Sequence, residues 1–364
     1  MSVLTYKCPS CGAPLTYDGS KQELTCGSCG NSFTPDVVRE VAEIESQDTG
    51  FERMEWDMQD GPFSKAEAAH TRAYSCSSCG SQLMTDETTV ATNCAFCGSP
   101  AILEVQFTEE TRPQVIVPFL ISKEKATQMF KDYFKGKRLL PNLFLKNNHI
   151  DEIRQLYVPY WMFSCQADAR LTYNATQVSS HRSGDYEVTR TRHFLVRRAG
   201  TLNFADLPVD ASSKMDNNIT ESIEPYNMGD GIPFSPETLS GALANRADQT
   251  PEQCVERANL RVRNTTEDVF RSTVQGYTTV VPRSTSIRIK DGSSVPVLLP
   301  VWVITTVKNK KTYTFAINGQ TGELTTDIPY SKAKFHMWLW GVTGMIGGGA
   351  SIAAYVLARL GVLR

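Results

Sequence analysis

Two blocks of cysteines with one shared spacing constrain this chain more than anything else in it. Cys8, Cys11, Cys26 and Cys29 form the first block, and Cys76, Cys79, Cys94 and Cys97 the second. In both, fourteen residues separate two Cys-x-x-Cys pairs. Two thiolates two residues apart fit one tight turn, and two such turns joined by a hairpin supply the tetrahedron that Zn²⁺ prefers. Glycine follows the second cysteine of every pair, at Gly12, Gly30, Gly80 and Gly98, where a backbone that turns its N–H groups toward sulfur needs positive φ. The spacing predicts two four-cysteine zinc ribbons with one structural Zn²⁺ each. Disulfides, or iron in a rubredoxin-like site, are the alternatives.

Four cysteines close the coordination sphere, so no position remains for water or substrate and catalytic metal chemistry is not expected. The ion's role is to hold the fold. A ribbon of about thirty residues buries too little apolar surface to fold alone, and roughly 10 kcal/mol or more of metal binding stands in for a core.

Charge divides the chain. Residues 1–105 contain six Lys or Arg against fifteen Asp or Glu, a net −9, and the total of −2 leaves +7 for the remainder. Each zinc–tetrathiolate centre would add about two negative charges. Phosphate contacts need clustered cations, and residues 74–104 contain no Lys or Arg at all, so nucleic-acid binding through the ribbons is disfavoured. Between the ribbons, residues 37–73 carry nine acids and four bases, with Val37, Val38, Val41 and Ile44 spaced for a short amphipathic helix. A solvated acidic linker is the simpler reading; an acidic arm holding Trp56 and Met58 against a basic partner is the other.

From about residue 105 to 331 the pattern is that of a strand-rich α+β body. A strand over 115–119 precedes a helix capped by Ser122, with Ala126, Met129, Phe130, Tyr133 and Phe134 on one stripe and Gly136 as its stop. The apolar run 156–163 and the alternation through Ala169, Leu171 and Tyr173 read as strand, as do 186–198, 274–281, 285–290, 295–307 and 312–317. Asp291-Gly292 and Asn318-Gly319 are turn signals. Thr250-Pro251-Glu252-Gln253 is a capping box opening a helix to about residue 270. Order and character suggest a duplication, about 113–200 and 220–330.

No catalytic constellation is evident. Cys165 and Cys254 read as small packed hydrophobes, and His70, His149, His181, His193 and His336 lack ligand spacing. Arg182, Arg190, Arg192, Arg197 and Arg198 cluster near Asp185 and Glu187. Arg190, Arg192 and Arg198 share strand parity. A solvated sheet face is the simpler reading, and anionic lipid headgroups are the alternative partner.

Residues 337–358 carry no charged side chain. At about 1.5 Å per residue they would span roughly 33 Å as a helix, enough for a hydrocarbon core of about 30 Å. Trp338, Trp340 and Tyr355 would form an interfacial belt. Over residues 335–360 the expectation is therefore one transmembrane helix. The N-terminal bulk, with no secretory leader expected before Cys8, would face the cytoplasm. Gly344 and Gly348 form a GxxxG motif through which a second helix, from another copy or another protein, could pair.

The expected domains are ribbon 1 over 1–36, the acidic linker 37–73, ribbon 2 over 74–104, the body 105–331 and the transmembrane helix 335–360. The two ribbons, Thr85-Asp86-Glu87-Thr88-Thr89, Tyr157-Val158-Pro159-Tyr160-Trp161, Val196-Arg197-Arg198-Ala199-Gly200, the 270–277 motif Phe-Arg-Ser-Thr-Val-Gln-Gly-Tyr, Leu299-Pro300-Val301-Trp302 and Asn318-Gly319-Gln320-Thr321-Gly322 together resemble the bacterial TFIIB-type zinc-ribbon-containing membrane proteins. Members are often labelled relatives of replication-restart helicases, but this chain has no P-loop and no helicase motif, so that label does not transfer. The resemblance implies a non-enzymatic, membrane-anchored scaffold that recruits a cytosolic SPFH-domain or phage-shock-type protein in envelope stress. The eight cysteines are the residues it carries over. A membrane-tethered nucleic-acid-binding ribbon protein is the competing reading.

Overall fold

The alternation of apolar side chains through 165–175 and the capped stripes at 123–134 and 251–272 set the main elements of the body. The computed structural model describes residues 6–49, 51–107, 111–135, 137, 153–308, 311–326 and 331–359. Strands β1 (Leu15–Asp18), β2 (Glu23–Cys26) and β3 (Ser32–Phe33) are followed by helix α1 (Pro35–Thr49) and the short strand β4 (Asp57–Met58). Helix α2 (Lys65–Ala69) leads into β5 (Thr71–Cys76), β6 (Gln82–Asp86) and β7 (Ile102–Val105). Next come β8 (Val115–Ile116), α3 (Lys123–Phe134), β9 (Arg154–Ser183) and β10 (Tyr186–Asp210). These precede α4 (Asn217–Ser222), β11 (Ile232–Pro233), β12 (Leu243–Asn245) and α5 (Pro251–Ser272). The last elements are β13 (Thr279–Lys308), β14 (Lys311–Asn318), β15 (Leu324–Thr326) and α6 (Lys332–Arg359).

The chain forms two compact units, each assembled from three separated stretches. Unit 1 contains residues 1–59, 161–209 and 250–295; unit 2 contains 60–160, 210–249 and 296–364. Each holds one cysteine block.

In unit 1, β1, β2 and β3 form an antiparallel sheet, and Val38 of α1 is buried with Cys8, Leu15 and Cys26. The main core lies under α5. Cys254, Ala258, Val262, Thr266 and Phe270 recur every fourth residue and are all buried, one stripe of a 3.6-residue helix. Of these, Val262 and Phe270 belong to a cluster with Ala167, Ala169, Leu171, Tyr173 and Ala175, alternate residues on one face of β9. Burial pushes the Cys165 thiol up to about 11, so it sits there as a neutral, packed side chain.

Asp291-Gly292 does not turn the chain. β13 continues through it, with Asp291 at φ +49°, and β4 runs parallel alongside, with Asp57 opposite Ser293 and Met58 opposite Ser294. A Cβ at Gly292 would lie 2.7 Å from the Glu55 carbonyl oxygen and 2.8 Å from Ile289 Cγ2. Glycine is required here for close approach of a neighbouring strand rather than for reversal. Trp56 on that neighbouring stretch points inward, donating its indole N–H to Asn259 Oδ1 at 2.8 Å and meeting Phe163 edge-on at 5.0 Å.

In unit 2, β6 pairs with β5 and β12, β5 also pairs with β7, and β12 runs parallel to β9 through Leu243 and Leu156. β8 is parallel to β13, and the β13–β14 hairpin continues to β15. Helix α3 packs Ala126 and Phe130 against Trp302, Ile304, Phe315 and Ile317. Its N-terminus is capped as expected, the Ser122 hydroxyl accepting from Lys125 N–H at 3.3 Å. The expected stop, Gly136, lies outside the described residues.

Asn318-Gly319 is a true reversal, because the Asn318 side-chain oxygen accepts from the N–H groups of Gln320 and Thr321 at 2.8 and 3.0 Å. The Asn318 amide also donates to the Ile223 and Pro225 carbonyls, so this turn latches the stretch after α4 as well.

The expected membrane segment coincides with α6, which is one continuous helix of 28 residues. Among the described residues, however, no helix is long and apolar enough to cross a membrane. Gly341, Gly344 and Gly347–Gly349, together with Thr343 and Ser351, dilute the hydropathy of this segment. The side chains of 355–358, Tyr355 included, lie outside the described residues.

Candidate metal centres

All four cysteine turns share one backbone pattern. The N–H of the glycine after the second cysteine donates to the carbonyl of the first: Gly12 to Cys8, Gly30 to Cys26, Gly80 to Cys76 and Gly98 to Cys94, at 2.8–3.0 Å. The first cysteine's own N–H donates to the carbonyl one residue past that glycine, at Ala13, Asn31, Ser81 and Ser99, at 2.7–2.9 Å. These glycines have φ between +69° and +76°, a region that costs any other side chain free energy. Closing the turn this way aims N–H groups at sulfur. Cys26 accepts from Ser28 and Cys29, Cys94 from Phe96 and Cys97, and Cys11, Cys29, Cys79 and Cys97 each accept from the residue two positions on.

The sulfurs converge as the spacing predicts. In each block all four Sγ atoms lie within 4.8 Å of one another. Cys8 and Cys29 are 3.6 Å apart, Cys11 and Cys26 3.5 Å, Cys76 and Cys97 3.7 Å, and Cys79 and Cys94 3.6 Å. A tetrahedral ion with Zn–S of about 2.3 Å places its ligands about 3.8 Å apart. A disulfide needs about 2 Å, and all ten cysteines are free thiols, which removes the disulfide alternative. The two sets fit two structural zinc ions. The first cysteine of each pair, Cys8, Cys26, Cys76 and Cys94, is buried, while the second faces outward.

Electrostatics follow from crowding four sulfurs together. The N–H of Cys29 turned to sulfur lowers the Cys26 thiol to about 6. Burial raises Cys79, but the Ser81 hydroxyl and N–H overcome it and bring the thiol down to about 7. Against the lowering pull of the Ala13 N–H, Cys11 is pushed up to about 12 by its Cys26 neighbour and by burial. Cys97 also rises to about 12, through burial and then the Cys79 and Cys76 thiols. A dication that takes all four as thiolates ends this competition for protons.

The bodies of the two units supply cations around these centres. In unit 2 the Arg154 guanidinium donates to the Cys94 carbonyl, and Lys214 Nζ donates to the Cys79 carbonyl at 3.3 Å. In unit 1 Arg283 donates to the Pro9 carbonyl, inside the first turn. Each would offset the roughly −2 charge of a zinc–tetrathiolate and fix the orientation of a ligand turn. The cysteine spacing located all eight ligands but none of these three cations, because each comes from a segment distant in the chain with no local signature.

Ribbon 2 is also tied to its unit by the Thr85–Thr89 motif. Asp86 is buried and accepts from the Thr89 N–H at 3.0 Å and from the Thr88 hydroxyl, closing a tight loop. Burial alone would raise its carboxyl, yet these donors hold it below the usual carboxylate range. Thr85 donates to the Ala242 carbonyl at 2.9 Å, and Thr89 accepts from the Gly241 N–H at 2.9 Å.

No protein-family model and no solved structure matches the chain. It is 33% identical over 360 residues to the uncharacterized protein YdjG of Bacillus subtilis, an alignment that covers 95% of this chain and 99% of that one. A likeness of that degree over nearly the whole of both chains makes this chain a member of the YdjG family.

Proposed function

We propose that this protein is a non-enzymatic scaffold that sits at the cytoplasmic face of the membrane and uses its zinc ribbons to recruit a cytosolic protein. An SPFH-domain or phage-shock-type partner, acting in envelope stress, is what the resemblance of the motifs implies. The observation that carries the docking half is the exposed edge of ribbon 2. β7 ends the order of paired strands, and its outer side has no strand partner among the described residues. Leu103 is 64% exposed and Val105 37%, and Glu104 is also exposed. A partner segment can add as a strand there, using backbone hydrogen bonds for affinity and alternate side chains for specificity. Cys76, on the neighbouring β5, is opposite Ile102, so metal binding holds the edge in shape.

Helix α6 supports the membrane half. It presents Met337, Trp338, Trp340, Met345, Ile346 and Ile352 in exposed positions. A run of large apolar and aromatic side chains without a charge between His336 and Arg359 suits a lipid phase and its interface better than water. Its glycine face, with open space around Gly344 and Gly348, suits close pairing with a second helix.

Crosslinking in intact cells, followed by identification of what the ribbons touch, tests the reading. Recovery of an SPFH-type or phage-shock-type protein by the wild type, and its loss when Leu103→Asp is introduced, is the expected result. Equal recovery from both would remove β7 as the docking edge. Fractionation of cells carrying a chain truncated before residue 333 tests the anchor, because retention at the membrane through a high-salt wash, which strips contacts made by charge alone, would sink it.

A further inference from the structure

The β9–β10 hairpin extends beyond the rest of its sheet as a two-stranded arm. β13 begins beside Thr176, where the Thr278 N–H donates to the Thr176 carbonyl at 2.7 Å and the Val178 N–H reaches the Thr278 hydroxyl at 2.9 Å. Past that level β9 pairs with β10 alone among the described residues, with the Ser180 and Thr189 hydroxyls 2.8 Å apart across the ribbon and Gly184 turning the tip at φ +63°. Every residue from 177 to 194 is exposed.

The two faces of this arm differ. Strand parity puts Tyr186, Val188, Arg190, Arg192 and Phe194 on one face, and Glu187, Thr189, Thr191 and His193 on the other. Between Tyr186 and Phe194 the first face carries no acid. Tyr186 is 78% exposed, Val188 41% and Phe194 37%, and among the described residues neither Arg190 nor Arg192 has an ion-pair partner. Phe194 braces the base of the arm edge-on against Tyr277, with ring centroids 5.2 Å apart.

We propose that this face is a binding surface for anionic phospholipid headgroups. Two arginines roughly 7 Å apart on a flat ribbon reach neighbouring phosphates, while tyrosine and aliphatic side chains beside them enter the interfacial layer. The inference rests on the membrane reading of α6 and adds to it a second contact that selects lipid charge. A double-stranded ribbon is stiffer than a loop, so the face is presented ready-made.

Trypsin cleavage after Arg182, at the tip of the arm, reports the contact without depending on α6. Full-length protein is digested in the presence of phosphatidylcholine vesicles, or of vesicles with equal parts phosphatidylcholine and phosphatidylglycerol. In the wild type the mixed vesicles slow this cleavage by about 30-fold, from about fivefold for each arginine near an anionic surface. High salt reverses the protection. Arg190→Gln with Arg192→Gln restores the rate seen on phosphatidylcholine, and Tyr186→Ser restores part of it. Removing the same charge from α3, with Lys123→Gln and Lys131→Gln, leaves protection intact. Equal loss in both double variants would reduce the effect to net charge and overturn the assignment. Protection by single-stranded DNA but by neither vesicle would overturn it in favour of a nucleic-acid surface. Flotation with phosphatidylcholine vesicles separately reads α6, so its failure leaves the result for the arm standing.

Discussion

The two ribbons use the same four-sulfur turn but are joined to their units differently. Ribbon 1 is a three-stranded sheet of its own, resting on Val38 of α1 and held at Pro9 by Arg283. Ribbon 2 is continuous with a larger sheet: β6 pairs with β12, Thr85 and Thr89 bond the 241–242 backbone, and Arg154 and Lys214 hold its turns. Metal in the first is therefore a local staple. In the second the metal supports strands that other strands depend on.

The comparison breaks first at the ligands. Cys94→Ser and Cys8→Ser each remove one zinc ion, measured by metal analysis, but only Cys94→Ser lowers global stability in denaturant, by several of the roughly 10 kcal/mol that a structural ion supplies. Equal destabilisation by the two would erase the distinction. Thr85→Val tests the seam itself. It strands the buried Ala242 carbonyl and lowers stability by about 1–3 kcal/mol, with zinc content unchanged.

The cations come next. Arg154→Gln and Arg283→Gln each weaken zinc retention against a chelator by roughly tenfold at their own ribbon and leave the other site alone. Loss from both sites with either variant would mean that the cations act through the fold at large.

The smallest effect is at His70, which pairs with Glu87 of the ribbon 2 loop at 2.9 Å. The Glu87 carboxylate raises the His70 pKa. A raised folded value gives stability that is fully present below the unfolded value of about 6.5 and is lost as pH rises through the folded one. His70→Ala should remove that small slope from the unfolding midpoint, and persistence of the slope would assign it to another group.

Local chemistry explains which features the sequence revealed. The ligands, the glycines, the Ser122 cap and the Thr250–Gln253 capping box depend on neighbours within a few residues, and all appear where expected. Strand lengths did not. The segments 285–290 and 295–307 merge into one strand, β13, because the partner that Gly292 admits lies more than 200 residues away in the chain. The pairing of β6 with β12 and the cations from Arg154, Lys214 and Arg283 are equally non-local. Trp56 shows the same limit: surrounded in sequence by carboxylates, it is packed inward on Phe163.

An open strand is also a hazard, since unpaired backbone groups accept any extended chain, including another copy of the same protein. β7 limits that hazard by being four residues long and by carrying Glu104, in a ribbon without a single Lys or Arg. Two copies meeting edge to edge would bring carboxylates together across the pair, a like-charge arrangement that disfavours it. A strand with a lysine or arginine at that position would meet no such penalty. The edge that makes recruitment possible is therefore biased against its own kind, and the charge of the partner strand decides between assembly and aggregation.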